Sequence, residues 1–528
     1  MNDPALEHAP VSLSSAGQPE GARAVLPERP AAGIALHFTS LPSPFGIGDI
    51  GDAAHAFLDA LVTMKLSVWQ FLPTGPTAYG DSPYQPLSAF AGNENLIGLE
   101  PLVRAGYLGA EELDVLRDLP EDTVDYGSLI PRRGALLGVA AGRFLERSSD
   151  EERAAFDAFL AEHGAAWLDD YALFRILKAQ HAERPWPEWS PEYVHREPEA
   201  LERIRERHAD ELDAIRVQQF FFDQQWAKLK AAANGRGVRL FGDMPIYIAL
   251  DSSDAWAHPE ILRIDEDGRP DAVAGVPPDY FSADGQLWGN PLYDWDFHAS
   301  QDYRWWVERV RHAARLNDLV RIDHFRGFEA YWAVPFGETT ARGGQWEPGP
   351  GDGLFEAMER QLGALPIVAE DLGVITPEVD ALRHRHRIPG MVVLQFDVSD
   401  PDFDPQGIHS HSVCYTGTHD NDTTAGWFEG GRDDTRSEAE LLETRENVLR
   451  LTDGAPETIH LDLVELAFST PARLAVAPLQ DFLGLGTQAR LNIPGTTNDN
   501  WRWRFLPDQL SPSFQRGVAR LVEASGRA

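Results

Sequence analysis

LVRIDHFRG, residues 319–327, is the segment from which the fold is most directly predicted. A strand-length run of apolar or β-branched residues that is followed by a polar or glycine-rich turn is typical of a buried strand. Seven further segments share this pattern: GIALHF (33–38), SVWQFL (67–72), VRLFGD (238–243), PIVAED (366–371), MVVLQFD (391–397), SVCYTGTHD (412–420) and ARLNIPG (489–495). The chain is therefore expected to contain eight such strands.

Helical stretches separate these strands, for example DAAHAFLDALV (52–62) and YRWWVERVRHAARL (303–316). Near-continuous apolar strands that alternate with helices indicate parallel strands joined by crossover helices. Eight of them predict an α/β fold, a (β/α)8 TIM barrel. A doubly wound open sheet is the competing architecture.

Three other parts of the chain differ from this alternation. Residues 1–32 are rich in Ala, Pro, Gly, Ser and Glu without periodicity, which predicts a tail outside a catalytic unit formed by residues 33–528. Residues 98–235 carry Leu, Ala, Glu and Arg at helical spacing and predict a mostly helical insertion. Residues 251–295 are rich in Pro, Gly and aromatics and predict a long irregular loop, a lid over the active site.

Composition limits the classes of partner. The formal net charge of −37 disfavours nucleic acid and anionic membranes and is compatible with a neutral substrate. The chain has no apolar run of membrane-spanning length and no signal-like N-terminus, so neither insertion nor export is expected. Its one cysteine, Cys414, lies in an apolar run and is expected to be buried, which fits a reducing cytoplasm.

Four of the predicted strands end in carboxylates: Asp243, Asp323, Glu370 and Asp420. Any one of them could be a helix cap. In a barrel, however, the C-terminal ends of the strands meet at one mouth, where catalytic groups lie. Neighbouring carboxylates cannot all ionise freely, so an acid and a base become available near neutral pH.

Glycoside chemistry with retention uses such a pair, one group attacking the anomeric carbon and the other protonating the departing oxygen. Arg321 lies on the same strand face as Asp323 and could hold it bidentately as the carboxylate, so Asp323 is the predicted nucleophile. Glu370 follows an apolar run that favours its protonated form, so it is the predicted general acid.

A glucan groove also needs aromatic platforms for the apolar faces of sugars, and polar partners for the hydroxyls. Aromatic side chains are concentrated in the turn TAYGDSPYQP and in the proposed lid, and polar ones border Asp420. The candidates are Tyr79, Tyr84, Tyr280, Phe281, Trp288, His419 and Asn421.

These segments closely resemble the amylomaltase, or disproportionating-enzyme, family of 4-α-glucanotransferases within the α-amylase clan. The resemblance runs from about Gly33 to Arg504. The matching motifs are SPFGIGD, GDSPYQPLSAFAGN, FGDMPIYI, AWAHPE, LWGNPLYDW, VRIDHFRGF, VAEDLG, GTHDN, APLQDFLGLG and NIPGT…NWRWR.

The resemblance implies a transferase that needs no cofactor and moves segments from α-1,4-glucan or maltooligosaccharide donors to glucose or maltooligosaccharide acceptors. It implies that Asp323 is the nucleophile, Glu370 the acid/base and Asp420 a third carboxylate that binds sugar hydroxyls. The supporting and groove positions that it implies are Asp243, Arg321, His419, Tyr79, Tyr84, Tyr280, Phe281 and Trp288.

Other functions fit the sequence less well. Gly46–Gly51 fits the dinucleotide fingerprint G-x-G-x-x-G, but the next strand lacks the acidic residue that would bind a ribose. Neither the carboxylates beside His419 nor the turn 265–268 has zinc or calcium spacing, so no metal is expected. An α-glucan hydrolase on the same scaffold stays open as an alternative, because both enzymes use the same covalent intermediate. A non-catalytic carbohydrate-binding protein is a minor one.

Overall fold

The computed structural model describes residues 25–278, 284–431 and 434–528. Twelve strands lie within these ranges: β1 Ala31–Ala35, β2 Val68–Gln70, β3 Arg239–Met244, β4 Ala272–Val276, β5 Gln286–Pro291, β6 Leu319–Ile322, β7 Ala330–Pro335, β8 Gln345–Pro348, β9 Ile367–Ala369, β10 Gly390–Val393, β11 Ser412–Tyr415 and β12 Leu474–Pro478.

Eight of the strands form one parallel sheet in the order β10-β11-β12-β1-β2-β3-β6-β9. Each strand therefore neighbours the one before and after it in the chain, as in a (β/α)8 barrel. The N–H of Ala369, the last residue of β9, donates to the carbonyl of Pro389 at 2.8 Å and links β9 to β10. The predicted barrel is confirmed, and the open-sheet alternative is wrong.

The barrel interior is filled by side chains from all eight strands, which explains why these strands are apolar with little alternation. One buried cluster contains a residue from each of them: Ala31, Val68, Phe241, Leu319, Val368, Met391, Val413 and Leu474.

The eighth barrel strand is not the one expected from the sequence. It is LAVAP, residues 474–478, whose small apolar residues pair with β1 on one side and β11 on the other. ARLNIPG, residues 489–495, ends a short 3-10 turn and continues as a loop. Its polar side chains, Arg490 and Asn492, bond to the loop that carries Asp420 instead of facing solvent beside a strand.

The α-helices of the described ranges surround the barrel. They are α1 Asp52–Met64, α2 Leu99–Arg104, α3 Tyr126–Arg147, α4 Asp150–His163, α5 Asp169–Gln180, α6 Pro191–Val194, α7 Pro198–Arg207, α8 Ala209–Gly235, α9 Ser253–Ala257, α10 Trp295–Ser300, α11 Arg304–Leu316, α12 Asp352–Leu362, α13 Pro377–Arg385, α14 Leu394–Asp397, α15 Thr424–Glu429, α16 Glu438–Thr452, α17 Ile459–Ser469, α18 Leu479–Leu483 and α19 Pro512–Ala524.

Helices α2 to α8 lie between barrel strands β2 and β3, in the part of the chain where a helical insertion was expected. The last of them, α8, leads directly into β3. Its Trp226 packs edge-on against Phe38 and Phe71, with ring centroids 5.4 and 5.6 Å apart. Aromatic contacts of this kind attach α8 to the barrel wall.

A second, antiparallel sheet has the order β5-β4-β7-β8. It includes two strands from residues 251–295, so this segment is not the irregular loop that was expected from its glycines and prolines. The reason is long-range pairing, because β4 lies between β5 and the distant β7. Tyr280 and Phe281 fall outside the described residues. The role of this segment as a lid stays a prediction.

Cys414 is fully buried, as expected, and burial raises the pKa of its thiol to about 12. Across the described ranges, the helices are too short or too polar to cross a membrane.

Candidate active site

The four predicted carboxylates lie at the C-terminal side of neighbouring or nearby barrel strands. Asp243 is the fifth residue of β3, Asp323 directly follows β6 and Glu370 directly follows β9. Asp420 is in the loop after β11. The barrel register thus brings together residues that are far apart in the chain, on the face where (β/α)8 enzymes carry their active sites.

Arg321 bridges two of these carboxylates. One guanidinium nitrogen lies 2.6 Å from Oδ2 of Asp243 and the other 2.9 Å from Oδ1 of Asp323. Arg321 thus contacts Asp323 through one nitrogen and not bidentately, because β3 and β6 are adjacent and bring Asp243 within reach of the other nitrogen. Burial lowers the pKa of Arg321, but the two carboxylates outweigh burial and raise it, so the guanidinium stays charged.

Asp243 is the more deeply enclosed of the two partners of Arg321. Its side chain is 1% exposed, whereas that of Asp323 is 31% exposed. Burial raises the pKa of Asp243, and the guanidinium of Arg321 opposes that rise. Asp323 is thus the carboxylate of this pair that a substrate can reach.

Glu370 is fixed by the backbone. Its Oε2 accepts a hydrogen bond from the N–H of His324 at 2.6 Å, and its Oε1 accepts one from the N–H of Leu372 at 2.9 Å. Burial raises the pKa of Glu370 to about 7; the charge of Asp323 adds to this rise, while Arg321 opposes it. Glu370 is therefore a carboxylic acid poised to exchange a proton near neutral pH, bonded to the residue next to Asp323.

His324 was not among the candidates from the sequence. Its backbone is left-handed, with φ 53° and ψ 50°, which is uncommon for a residue with a side chain. This conformation lets its N–H reach Glu370, and its ring meets that of Trp288 edge-on, with centroids 4.8 Å apart at 88°. Burial lowers the pKa of the His324 imidazole to about 4, so the ring is neutral.

Tyr84 joins Asp243 to the loop after β11. Its hydroxyl donates to Oδ2 of Asp243 at 2.9 Å, and its ring stacks on His419 with centroids 5.0 Å apart at 15°. Burial, together with the charge of Asp243, raises the pKa of Tyr84 far above its ordinary value. Tyr84 therefore keeps its proton as a donor. Trp501, missed in the sequence, packs 6.0 Å from both rings.

Asp420 is held from three directions. Oδ1 lies 3.3 Å from Nε2 of His419 and accepts a hydrogen bond from Nδ2 of Asn492 at 2.6 Å. The carbonyl of Asp420 accepts one from Arg490 at 2.7 Å. Arg490 and Asn492 belong to ARLNIPG, the segment that was predicted from the sequence to be a strand. Its Asn-Ile-Pro-Gly turn was the signal for a loop.

The remaining candidates differ in their surroundings. The Oδ1 of Asn421 accepts hydrogen bonds from the backbone N–H and the hydroxyl of Thr418, both at 2.9 Å, so this oxygen stabilises its own loop. Tyr79 begins a 3-10 turn, Tyr79–Asp81. Tyr280 and Phe281, as noted, are outside the described residues.

A cavity of about 50 Å³ lies beside the carboxylates. Its lining includes Arg321 and His419, and also the last residues of four barrel strands, Ala35, Gln70, Tyr415 and Pro478. The site therefore continues into the barrel mouth.

The segment that fits a dinucleotide fingerprint is occupied by the protein itself. Side-chain atoms of Leu119 lie against Gly46, and Oδ1 of Asp49 accepts from the N–H of Gly51 at 2.9 Å. Within the described ranges, His, Cys, Asp and Glu side chains form no group of three or more that could hold a metal ion.

An eight-stranded barrel that carries the Arg321-paired Asp323 and the buried Glu370 at its C-terminal mouth defines the class: a (β/α)8 protein with a pair of carboxylates where such enzymes have their active sites. Comparisons narrow that class. The family model described as 4-alpha-glucanotransferase matches residues 36–509. The chain belongs to this 4-alpha-glucanotransferase family, which confirms the predicted family and enzyme class.

Individual relatives are similar to this protein over nearly the whole chain. A 4-alpha-glucanotransferase of Thermus thermophilus is 47% identical over 502 residues, covering 94% of this chain and 99% of the relative. A chloroplastic/amyloplastic 4-alpha-glucanotransferase of Solanum tuberosum is 42% identical, covering 92% of this chain and 83% of the relative. The solved structure of the amylomaltase from Streptococcus agalactiae in complex with acarbose superposes with a TM-score of 0.89 at 34% identity. The superposition covers 95% of this chain and 100% of that structure's chain.

Proposed function

We propose that the chain transfers α-1,4-glucan segments from maltooligosaccharide donors to other maltooligosaccharides or to glucose, by a double displacement that retains the anomeric configuration. The observation that carries this proposal is the contrast between two adjacent carboxylates. Asp323 is ion-paired with Arg321 and partly exposed, whereas Glu370 is buried with a pKa of about 7.

In the first displacement, a carboxylate oxygen of Asp323 attacks the anomeric carbon of the bound glucan. The bond from that carbon to the leaving sugar oxygen breaks, and the proton of Glu370 passes to this oxygen. Arg321 contacts the attacking group and orients it. The product of this step is a glycosyl ester of Asp323 and a shortened glucan that leaves.

In the second displacement, Glu370 acts as the base. Formation of the ester removes the negative charge of Asp323, and that charge is one of the causes that raise the pKa of Glu370. Glu370 therefore ionises more readily in the intermediate. It accepts the proton of an acceptor hydroxyl, whose oxygen attacks the anomeric carbon and displaces Asp323.

The groups around the carboxylates have supporting roles in this proposal. Asp420 binds sugar hydroxyls, and its position depends on His419 and Asn492. Asp243 positions Arg321 and accepts from Tyr84. The further groove residues proposed from the sequence are Tyr79, Tyr280, Phe281, Trp288 and Asn421.

Transfer requires that an acceptor hydroxyl outcompete water at the ester. We attribute this preference to the lid segment, residues 251–295, and to its half-buried Trp288, which contacts His324 beside Glu370. The variant Trp288→Ala should raise the ratio of hydrolysis to transfer, whereas Phe336→Ala, at an exposed residue that directly follows β7, should not. An unchanged ratio in Trp288→Ala and in a chain with residues 280–288 shortened would rule out the lid explanation.

The test of the function itself is incubation of the protein with maltotriose alone, followed by separation of products by chain length. Transfer produces glucose together with chains longer than maltotriose, and the number of reducing ends stays constant. Glucose and maltose with rising reducing ends would instead identify the hydrolase alternative. Absence of any reaction would favour a binding role.

We also propose a cytoplasmic location. The support is Cys414, a buried free thiol with a strongly raised pKa, which suits a reducing compartment. Recovery of the protein in the extracellular fraction of its cells would contradict this.

A further inference from the structure

Arg326 lies in the turn that follows Asp323, three residues further along the chain. It is 6% exposed, and its Nη1 donates a hydrogen bond to the carbonyl of Val374. Val374 in turn follows Glu370 by four residues and is 57% exposed. Arg326 therefore joins the loops that carry the two catalytic carboxylates.

The guanidinium of Arg326 lies over the ring of Trp346, with its Cζ 3.9 Å from the ring centroid. Trp346 is in the edge strand β8, directly opposite Trp332 of β7, whose ring is 5.2 Å away at 69°. Although two partners contact it, Trp346 is 40% exposed. A cation against the ring and an aromatic neighbour fix its orientation, so the exposed part is a rigid aromatic surface.

The sequence positions of Arg326 and Val374 limit how far the Trp346 surface lies from the catalytic carboxylates. Arg326 is three positions after Asp323, so their Cα atoms are at most about 11 Å apart. Glu370 protonates the departing sugar, so its side of the site is where leaving groups depart and acceptors enter. Val374, held by Arg326, is on the loop after Glu370. Trp346 is therefore connected, through Arg326, to the loop that follows the proton donor.

We propose that Trp346, together with the adjacent Val374, forms an outer binding site for the α-1,4-glucan acceptor. Sugar rings have apolar C–H faces that stack on indole rings, and an exposed, oriented Trp continuous with the catalytic loops presents such a surface. Arg326 acts as the positioning residue, because it orders both the ring and the Val374 loop. The proposal rests on the transferase function proposed above and specifies what the site prefers: acceptors of several glucose units over glucose.

The test separates acceptor binding from catalysis. The donor is maltotriosyl fluoride with its terminal 4-hydroxyl blocked, so that it cannot serve as an acceptor. The acceptors are glucose and maltopentaose, and the readout is the acceptor KM for formation of the transfer product. Trp346→Ala should raise the KM for maltopentaose by roughly two- to tenfold, the loss expected for one aromatic stack, and leave the KM for glucose unchanged. Trp346→Phe should recover part of the loss.

Phe336→Ala is the matched control, because Phe336 is 55% exposed and directly follows β7 of the same sheet, and it is not one of the residues described above as contacting Arg326 or Trp346. It should leave both KM values unchanged. Melting temperatures of all variants establish that each is folded.

Equal changes for glucose and maltopentaose in Trp346→Ala, or no change for either, would overturn the outer site. The same loss in Phe336→Ala would show a general effect of the sheet and would also overturn it. If the wild-type protein released fluoride but formed no transfer product with either acceptor, the transferase function itself would fail, which is a distinct result.

Discussion

Glu370 makes the pH dependence of the reaction predictable. Its pKa is raised to about 7, and the first displacement needs its protonated form. At pH 7 about half of the molecules carry this proton, and at pH 8 only about one tenth do. The value of kcat/KM for maltotriose should therefore fall about fivefold from pH 7 to pH 8, and about tenfold with each further pH unit. The loss occurs on the basic side, because the raised pKa belongs to an acid that must keep its proton.

The variant Glu370→Gln removes the proton donor and tests this assignment. With maltotriose, kcat/KM should fall by roughly 10²- to 10⁴-fold, since no acid protonates the leaving oxygen. With maltotriosyl fluoride, fluoride leaves without a proton. The kcat/KM for fluoride release should then stay within about tenfold of wild type and show no basic limb.

A matched control comes from Glu100 in α2, whose pKa is also raised to about 7 by burial and by Asp49. Glu100→Gln removes an equally perturbed carboxylate elsewhere in the fold and should leave the pH profile unchanged. A basic limb that persists in Glu370→Gln with the fluoride donor, or equal damage to both donors, would refute the assignment of Glu370 as the acid.

Three other variants test the remaining parts of the site. Asp323→Asn should lower turnover by roughly 10⁴-fold or more and prevent covalent labelling by a fluorosugar in mass spectrometry; labelling of this variant would exclude Asp323 as the nucleophile. Tyr84→Phe loses the 2.9 Å hydrogen bond to Asp243 but keeps the ring, so kcat/KM should fall roughly tenfold, and a loss as large as in Tyr84→Ala would mean that the hydroxyl carries the whole effect. Asn492→Ala frees Asp420 from its 2.6 Å partner and should lower kcat/KM at least tenfold with little change in melting temperature; an unaltered rate would show that Asp420 needs no such support.

Seven of the eight barrel strands could be predicted from local sequence, because a strand buried on both faces is an uninterrupted apolar run. The eighth could not. The Asn-Ile-Pro-Gly turn argues locally against a strand in ARLNIPG, but the place of LAVAP in the barrel depends on its pairing with β1, the first strand of the chain. Parallel neighbours separated by more than 400 residues have no local signature. The same reason hides the second sheet, in which β4 pairs with the remote β7.

The carboxylates were predictable as candidates, since strand ends at a barrel mouth are few and acidic side chains there are conspicuous. Their partners were not. Arg321 reaches Asp243 across 78 positions of sequence, and Asn492 reaches Asp420 across 72. His324 acts through its backbone N–H, a group that every residue except proline has, so its side chain gave no indication of the contact with Glu370.

Arg321 contacts both Asp243 and Asp323, and this arrangement helps to explain why the roles of Asp323 and Glu370 are not interchangeable. The guanidinium contacts Asp243 and Asp323, while the oxygens of Glu370 accept from two neutral backbone N–H groups. Ionising Glu370 as well would place a further negative charge in a buried site, beside Asp323, with no additional cation among these contacts. Glu370 therefore binds its proton more tightly while Asp323 is charged than after that charge is consumed in the ester. Asp243 is part of this mechanism although it lies too deep to be the attacking group, because it holds the guanidinium that also contacts Asp323.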